Sequence, residues 1–194
     1  MDAYFTKLLS SVEQSLESMD QDMFQLLVDH SALKLKKGNK IVVTGLGKNV
    51  PICDKFVGTM NSIGLNAVYM NTNSAVHGDL GLVHDGDLVI ILTKSGRTVE
   101  SVYLNDLLKE RNCERWLLTF SRDCPLGEDV DHVLVLDLDH EGDLWDIVPN
   151  NSTTVNLIVL QALAIKLSEC LGVTLTDFKK NHPGGHIGEQ LKNR

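Results

Sequence analysis

The sequence predicts a doubly wound α/β fold: a parallel sheet covered by helices on both faces, with a helical pair at its amino end. Two observations carry the prediction. Short, wholly apolar runs recur along the chain, such as Leu88-Val89-Ile90-Ile91-Leu92, with no polar residue alternating in them. Segments of helical periodicity separate most of these runs. A strand that is apolar on both sides must be covered on both sides, as in parallel sheets with helical crossovers.

The elements follow in order. Residues 3–36 place Phe5, Leu8, Leu9, Val12 and Leu16, then Met23, Leu26 and Leu27, at helical spacing. Two helices joined near Met19-Asp20 fit, with Asp20 as N-cap of the second. Lys36-Lys37-Gly38 ends that helix and sets cations at its negative end. The period then changes. Lys40 to Thr44 is a β-branched run, followed by a helix from about Val50 to Ile63. Further strands are expected at Ala67 to Met70, Leu88 to Leu92, Arg115 to Phe120 and His132 to Leu136. Helices are expected at Val99 to Leu108 and Thr153 to Leu171. No linker rich in Pro, Ser or Gly and no repeat interrupts the chain. It reads as one domain over 1–194, with helices at 3–36, an α/β core at 40–172 and a terminal segment at 181–192.

The totals narrow the function. The chain has 194 residues, 43% of them hydrophobic and 23% charged, enough for one large domain with its own core. Its net charge of -8 argues against a partner of nucleic acid or anionic membrane. Any anion site must be a local pocket. Cys53, Cys113, Cys124 and Cys170 show no CxxC spacing and read as reduced thiols of a cytoplasmic protein. The amino-terminal stretch carries acids among its apolar residues and does not read as a secretory signal. No stretch is expected to be long and apolar enough to span a bilayer.

In doubly wound folds the ligand sits at the carboxyl ends of the strands. Two loops fall there. Thr44-Gly45-Leu46-Gly47-Lys48-Asn49 leaves the first strand and opens a helix. Its glycines let backbone approach a ligand, the helix start offers unpaired N–H groups, and Lys48 adds charge. It matches neither the full dinucleotide fingerprint nor the Walker spacing, and a tight turn alone would also explain it. The second loop, Thr93-Lys94-Ser95-Gly96-Arg97-Thr98, gathers three hydroxyls around Gly96. N-capping needs one hydroxyl. Three beside a helix start suit a phosphate, without net positive charge.

The order of a GxGK turn, AVHGDLG at 75–81, SGRT at 95–98, PNNSTT at 149–154 and NHPGGHIGEQL at 181–191 resembles sugar isomerase (SIS) domains, most closely the arabinose-5-phosphate isomerase branch. The resemblance spans about residues 35–192. It implies a five-stranded parallel sheet and a homo-oligomer, commonly a tetramer with active sites shared between subunits. Many members continue into a pair of CBS domains; a chain ending at Arg194 is expected to be the single-domain form. The implied activity interconverts a ketose and an aldose phosphate, ribulose 5-phosphate and arabinose 5-phosphate in that branch.

Carried over by position, the catalytic residues fall on Lys48, His77, Glu141 and His182. Phosphate and substrate binding falls on Gly47, Asn49, Thr93, Ser95, Gly96, Arg97 and Thr98. Where that branch usually has SGE, this chain has Ser95-Gly96-Arg97: a cation replaces a carboxylate. A histidine that some members carry just before HGDLG falls at Asn71, so no metal is expected there. His182 and His186 are four apart, but Pro183-Gly184-Gly185 between them argues against one helix and a metal pair. His30, His84 and His132 carry no pattern.

Aldose–ketose isomerisation moves a proton between adjacent carbons through an enediol. It needs a carbon base, proton carriers for the oxygens, and donors for the developing oxyanion. Glu141 is the candidate base, His77 and His182 the proton carriers, and Lys48 the oxyanion partner. The route requires no metal or organic cofactor. Plainer readings compete: Glu141 as a solvated loop acid in the polar run 137–143, His77 as a turn residue, His182 as an exposed tail residue. Arg97 suits either a phosphate clamp or a second anionic group on another substrate. Two alternatives to this activity stand beside it, isomerisation of another sugar phosphate and phosphosugar sensing without turnover.

Overall fold

A computed structural model describes residues 3–192. Two helices, α1 (Ala3–Glu17) and α2 (Gln21–Lys36), precede an alternation of β1 (Ile41–Gly45), α3 (Val50–Ser62), β2 (Ala67–Tyr69), α4 (Thr72–Ala75), β3 (Leu88–Leu92), α5 (Val99–Lys109), β4 (Glu114–Thr119) and β5 (His132–Val135). Three helices close the chain: α6 (Asn151–Cys170), α7 (Leu175–Asn181) and α8 (Gly185–Lys192). Asp20 caps α2, its Oδ1 accepting from the Met23 N–H at 2.9 Å.

The five strands form one parallel sheet in the order β2-β1-β3-β4-β5. All residues of β1 and β3 are buried, as a sheet covered on both faces requires. The pleat divides them. Ile41, Val43, Leu88, Ile90, Leu92, Trp116 and Leu118 join one core with α2, α3 and α6, whereas Val42, Val89, Ile91 and Leu117 join a second with α5 and Cys124. The result is a three-layer α/β sandwich. Chain order reverses between β1 and β3, so their carboxyl ends open a crevice.

α6 requires a correction. It has 20 residues and a mean hydropathy of 1.2 over its most apolar window, so by length and composition it is long enough to span a bilayer. Its neighbours account for that composition. Val155, Val159, Leu160, Leu163, Ala164 and Leu167 are buried in the core shared with the sheet, α2 and α3. Among the described residues the four cysteines are free, and burial pushes the Cys53 thiol up to about 12.

Candidate active site

A cavity of about 240 Å³ opens at the carboxyl ends of β1 and β3. Gly47, Lys48 and Asn49 form one wall; Thr93, Lys94 and Thr98 form another. Pro149, Ser152, Thr153 and Asn156, from the approach to α6 and its first turns, form a third. Phe120 and Ser101 also face it. Among the described residues, the lining holds two lysines and no acid.

The close approach of the first two walls depends on glycine. A Cβ on Gly45 would lie 2.9 Å from the Asn49 Cβ and 3.2 Å from the Leu92 Cβ. Asn49 then locks the junction: its Nδ2 donates to the Leu92 carbonyl at 3.5 Å and its Oδ1 accepts from Asn156 Nδ2 at 3.1 Å. Asn156 is 2% exposed, and its Oδ1 has no hydrogen-bond partner among the described residues. A buried, unpaired acceptor on a cavity wall suits a ligand hydroxyl.

The second loop divides its hydroxyls. Ser95 Oγ accepts from the Arg97 N–H at 3.2 Å and shapes the turn. Thr98 is the N-cap of α5, yet its side chain makes no capping bond, and it lines the cavity. Gly96 holds φ +62, and a Cβ there would meet Cys124 Sγ at 2.5 Å. The head of α5 thus presents N–H groups beside the Thr98 hydroxyl and Lys94, an arrangement suited to an anion.

Arg97 stands apart from this cradle. It is exposed, and its Nη2 donates to the Asp123 carbonyl at 2.8 Å. Ser95 and Gly96 likewise shape the loop without lining the cavity.

Glu141 sits behind the wall, with no exposed surface. Its Oε2 accepts from the N–H groups of Asn150 at 3.0 Å and Ser152 at 2.9 Å, so an internal carboxylate caps α6. Its Oε1 makes no well-directed hydrogen bond but lies 2.5 Å from the Lys94 ammonium. Burial pushes this carboxyl up; Lys94 and the N–H groups of Ser152 and Asn150 outweigh it and hold the carboxyl below the ordinary glutamate value. Lys94 therefore belongs to both the cavity and the buried acid. Sequence reasoning did not single it out. Its signal was its place inside the hydroxyl loop.

The two histidines lie elsewhere. His77 is exposed in the turn after α4, its N–H donating to the Ser74 carbonyl. His182 follows α7, stacked on Phe178 at 3.9 Å with Nδ1 2.9 Å from the Phe178 carbonyl. Next to it, Asn181 Nδ2 donates to the Ser62 carbonyl at 3.3 Å. Ser62 ends α3, which runs from the carboxyl ends of the strands back to their amino ends. His182 is therefore at the opposite end of the sheet from the cavity of its own chain. His182 and His186 lie on opposite sides of the Pro183-Gly184 break between α7 and α8.

The loop between Glu141 and α6 carries Leu144, Trp145 and Ile147 at 94%, 71% and 72% exposure. Asp143 accepts from the N–H groups of Trp145, Ile147 and Val148, and Asp146 from that of Glu141, so this apolar rim is held in shape.

Comparison with known proteins supplies independent findings. The SIS domain model matches residues 34–166. Arabinose 5-phosphate isomerase KdsD of Pseudomonas aeruginosa is 34% identical over 159 residues, 82% of this chain and 49% of that protein. KdsD of Salmonella typhi is 31% identical over 189 residues, 95% of this chain and 56% of that protein. The chain thus spans about half the length of these curated relatives. An E. coli CFT073 protein solved in complex with arabinose 5-phosphate is 30% identical, with TM-score 0.86, covering 93% of this chain and 94% of that one.

Proposed function

The chain belongs to the SIS domain family, and from that premise we propose that it is a sugar-phosphate isomerase, interconverting ribulose 5-phosphate and arabinose 5-phosphate through an enediol. The observation that carries the reading is the cavity at the β1/β3 crevice. There Lys48, Lys94, Thr98 and the head of α5 surround a space suited to a phosphate. The KdsD relatives and the E. coli sugar-phosphate complex supply the substrate.

Phosphate at the head of α5 fixes the sugar in the crevice. It also competes with Glu141 for the Lys94 ammonium. Glu141 is the candidate carbon base, and to act it must leave its pair with Lys94 and enter the cavity, whose lining holds no acid among the described residues. Lys48 steadies the developing oxyanion. His77 and a His182 of a neighbouring subunit move protons between the oxygens. The apolar rim at Leu144, Trp145 and Ile147 supports such an assembly, since a second copy of the chain would cover it. A homotetramer with shared sites is the expected form, acting on a small-molecule substrate in the cytoplasm.

A second reading, a phosphosugar-binding protein without turnover, is favoured by one observation: the candidate base is wholly buried and paired. One experiment separates the two. The protein is incubated with ribulose 5-phosphate, or with arabinose 5-phosphate, in deuterated water, and carbon-bound protons are followed by NMR. Deuterium incorporation with interconversion establishes the isomerase. Saturable binding without exchange points to another sugar-phosphate substrate or to the sensor.

A further inference from the structure

At the amino ends of the strands, remote from the cavity, three side chains from three elements converge. His30 comes from α2, Glu114 opens β4 and His132 opens β5. Their donor atoms all lie within 4.8 Å of one another, and all three residues are half-buried. His30 Nδ1 is 2.6 Å and His132 Nε2 3.6 Å from the same oxygen, Glu114 Oε1. We propose that His30, Glu114 and His132 bind a divalent transition metal of the zinc class, tying α2 to the sheet.

The donor set selects the metal. Two imidazoles and one carboxylate suit zinc, cobalt or nickel over magnesium or calcium, which take oxygen ligands. The spacing suits tetrahedral coordination, whose ligand atoms stand roughly 3.3 Å apart at zinc–nitrogen lengths. The His132–Glu114 separation of 3.6 Å is close to that value. The His30–Glu114 contact of 2.6 Å needs to open by less than an ångström, within reach of a rotation of the half-buried His30 ring.

The outer partners are also in place. Trp116 Nε1 donates to Glu114 Oε1 at 2.8 Å and occupies one lone pair, leaving the other for the metal. Lys34 Nζ lies 3.1 Å from Oε2 and steers coordination to Oε1. The Trp116 ring stacks on His132 at 4.4 Å and fixes its plane. Such outer-shell contacts orient metal ligands. Coordination requires His30 Nδ1 to be unprotonated, the ring keeping its proton on Nε2. Three protein ligands leave a fourth position to water.

Trp116 also provides the readout. The chain has two tryptophans, so Trp145→Phe leaves Trp116 as the sole indole beside the cluster. Chelator-stripped Trp145→Phe protein is titrated with cobalt(II), and zinc is added afterwards in competition. The expected result is quenching that saturates at one equivalent per chain and is reversed by zinc. In His30→Gln and His132→Gln, affinity should fall by more than the about 10–100-fold that loss of an outer-shell partner costs. His186→Gln should leave it unchanged. Unaltered Trp116 emission in saturating cobalt overturns the site, as does quenching that survives both histidine substitutions. If those variants fail to fold, the titration of the Trp145→Phe protein still decides.

Discussion

The ammonium of Lys94 lies 2.5 Å from Oε1 of Glu141, a carboxylate with no exposed surface. The contact joins the wall of the cavity to the cap of α6. Lys94→Met removes it and leaves a buried acid with two N–H donors and no counter-ion. A loss of about 1.5–3 kcal/mol is expected at neutral pH. The pH dependence follows from the direction of the shift. A depressed carboxyl contributes stability above its ordinary value of 4.5 and loses it as pH falls through the lower folded value. The gap between the two proteins should therefore close in acid. Thermal denaturation of both across that range reads it, and a constant gap would remove the pair from the explanation.

Gly96→Ala should damage the second loop. The added Cβ would meet Cys124 Sγ at 2.5 Å in a backbone of φ +62. A cost of about 1–3 kcal/mol is expected, with weaker phosphate binding. Denaturant unfolding and titration with inorganic phosphate would measure both. Unchanged phosphate affinity would dissociate the loop from the anion.

Asp87 supports the fold without approaching the cavity. It is 1% exposed and accepts from Lys40 Nζ at 2.6 Å, the Lys40 N–H at 3.0 Å and the His84 N–H at 2.8 Å. Asp87→Ala strands the Lys40 charge and should cost about 3–5 kcal/mol. The folded fraction should keep its KM for the sugar phosphate, as steady-state kinetics would reveal.

The position of His182 predicts complementation. Lys48→Ala and His182→Ala proteins should each be slow. Unfolded together and refolded as mixed oligomers, they should regain activity, because some sites then combine an intact Lys48 with an intact His182. Activity no greater than the sum of the parents would place each site within one chain.

α7 holds His182 in place. Thr174 and Asp177 form its capping box, and the Thr174 hydroxyl, the Thr174 N–H and Lys180 hold the Asp177 carboxyl at about 2. That contribution is present above the ordinary aspartate value of 3.8 and is lost as pH falls through about 2. Thr174→Ala should fray α7 at neutral pH, seen as faster amide exchange over residues 175–181, and should lower kcat if His182 takes part.

β3 was legible because it is a continuous apolar run and β1 because its β-branched run is nearly one, and a run buried on both faces has one architecture open to it. The second loop's place at the cavity was legible because glycine and clustered hydroxyls after such a strand serve few purposes. Glu141 was harder. Its surroundings, 137–143, read as solvated polar loop, yet the chain folds the carboxylate under α6, where backbone N–H groups receive it. Lys94 escaped notice because a loop lysine looks like any other until its partner is known. Ser95 and Thr98 look equivalent in sequence; only the backbone decides that one shapes the turn and the other faces the cavity. α7 and α8 are too short for periodicity to reveal.

The cavity wall carries two lysines, but one of them is already neutralised from behind. Among the described residues, an anion entering there meets a single uncompensated cation, Lys48, together with hydroxyl and N–H dipoles. The attraction the crevice offers an anion is therefore local, in a molecule whose net charge of -8 repels phosphates from afar. Salt should quicken the encounter by screening that repulsion, and loosen the hold of exposed Lys48 once the anion is in place.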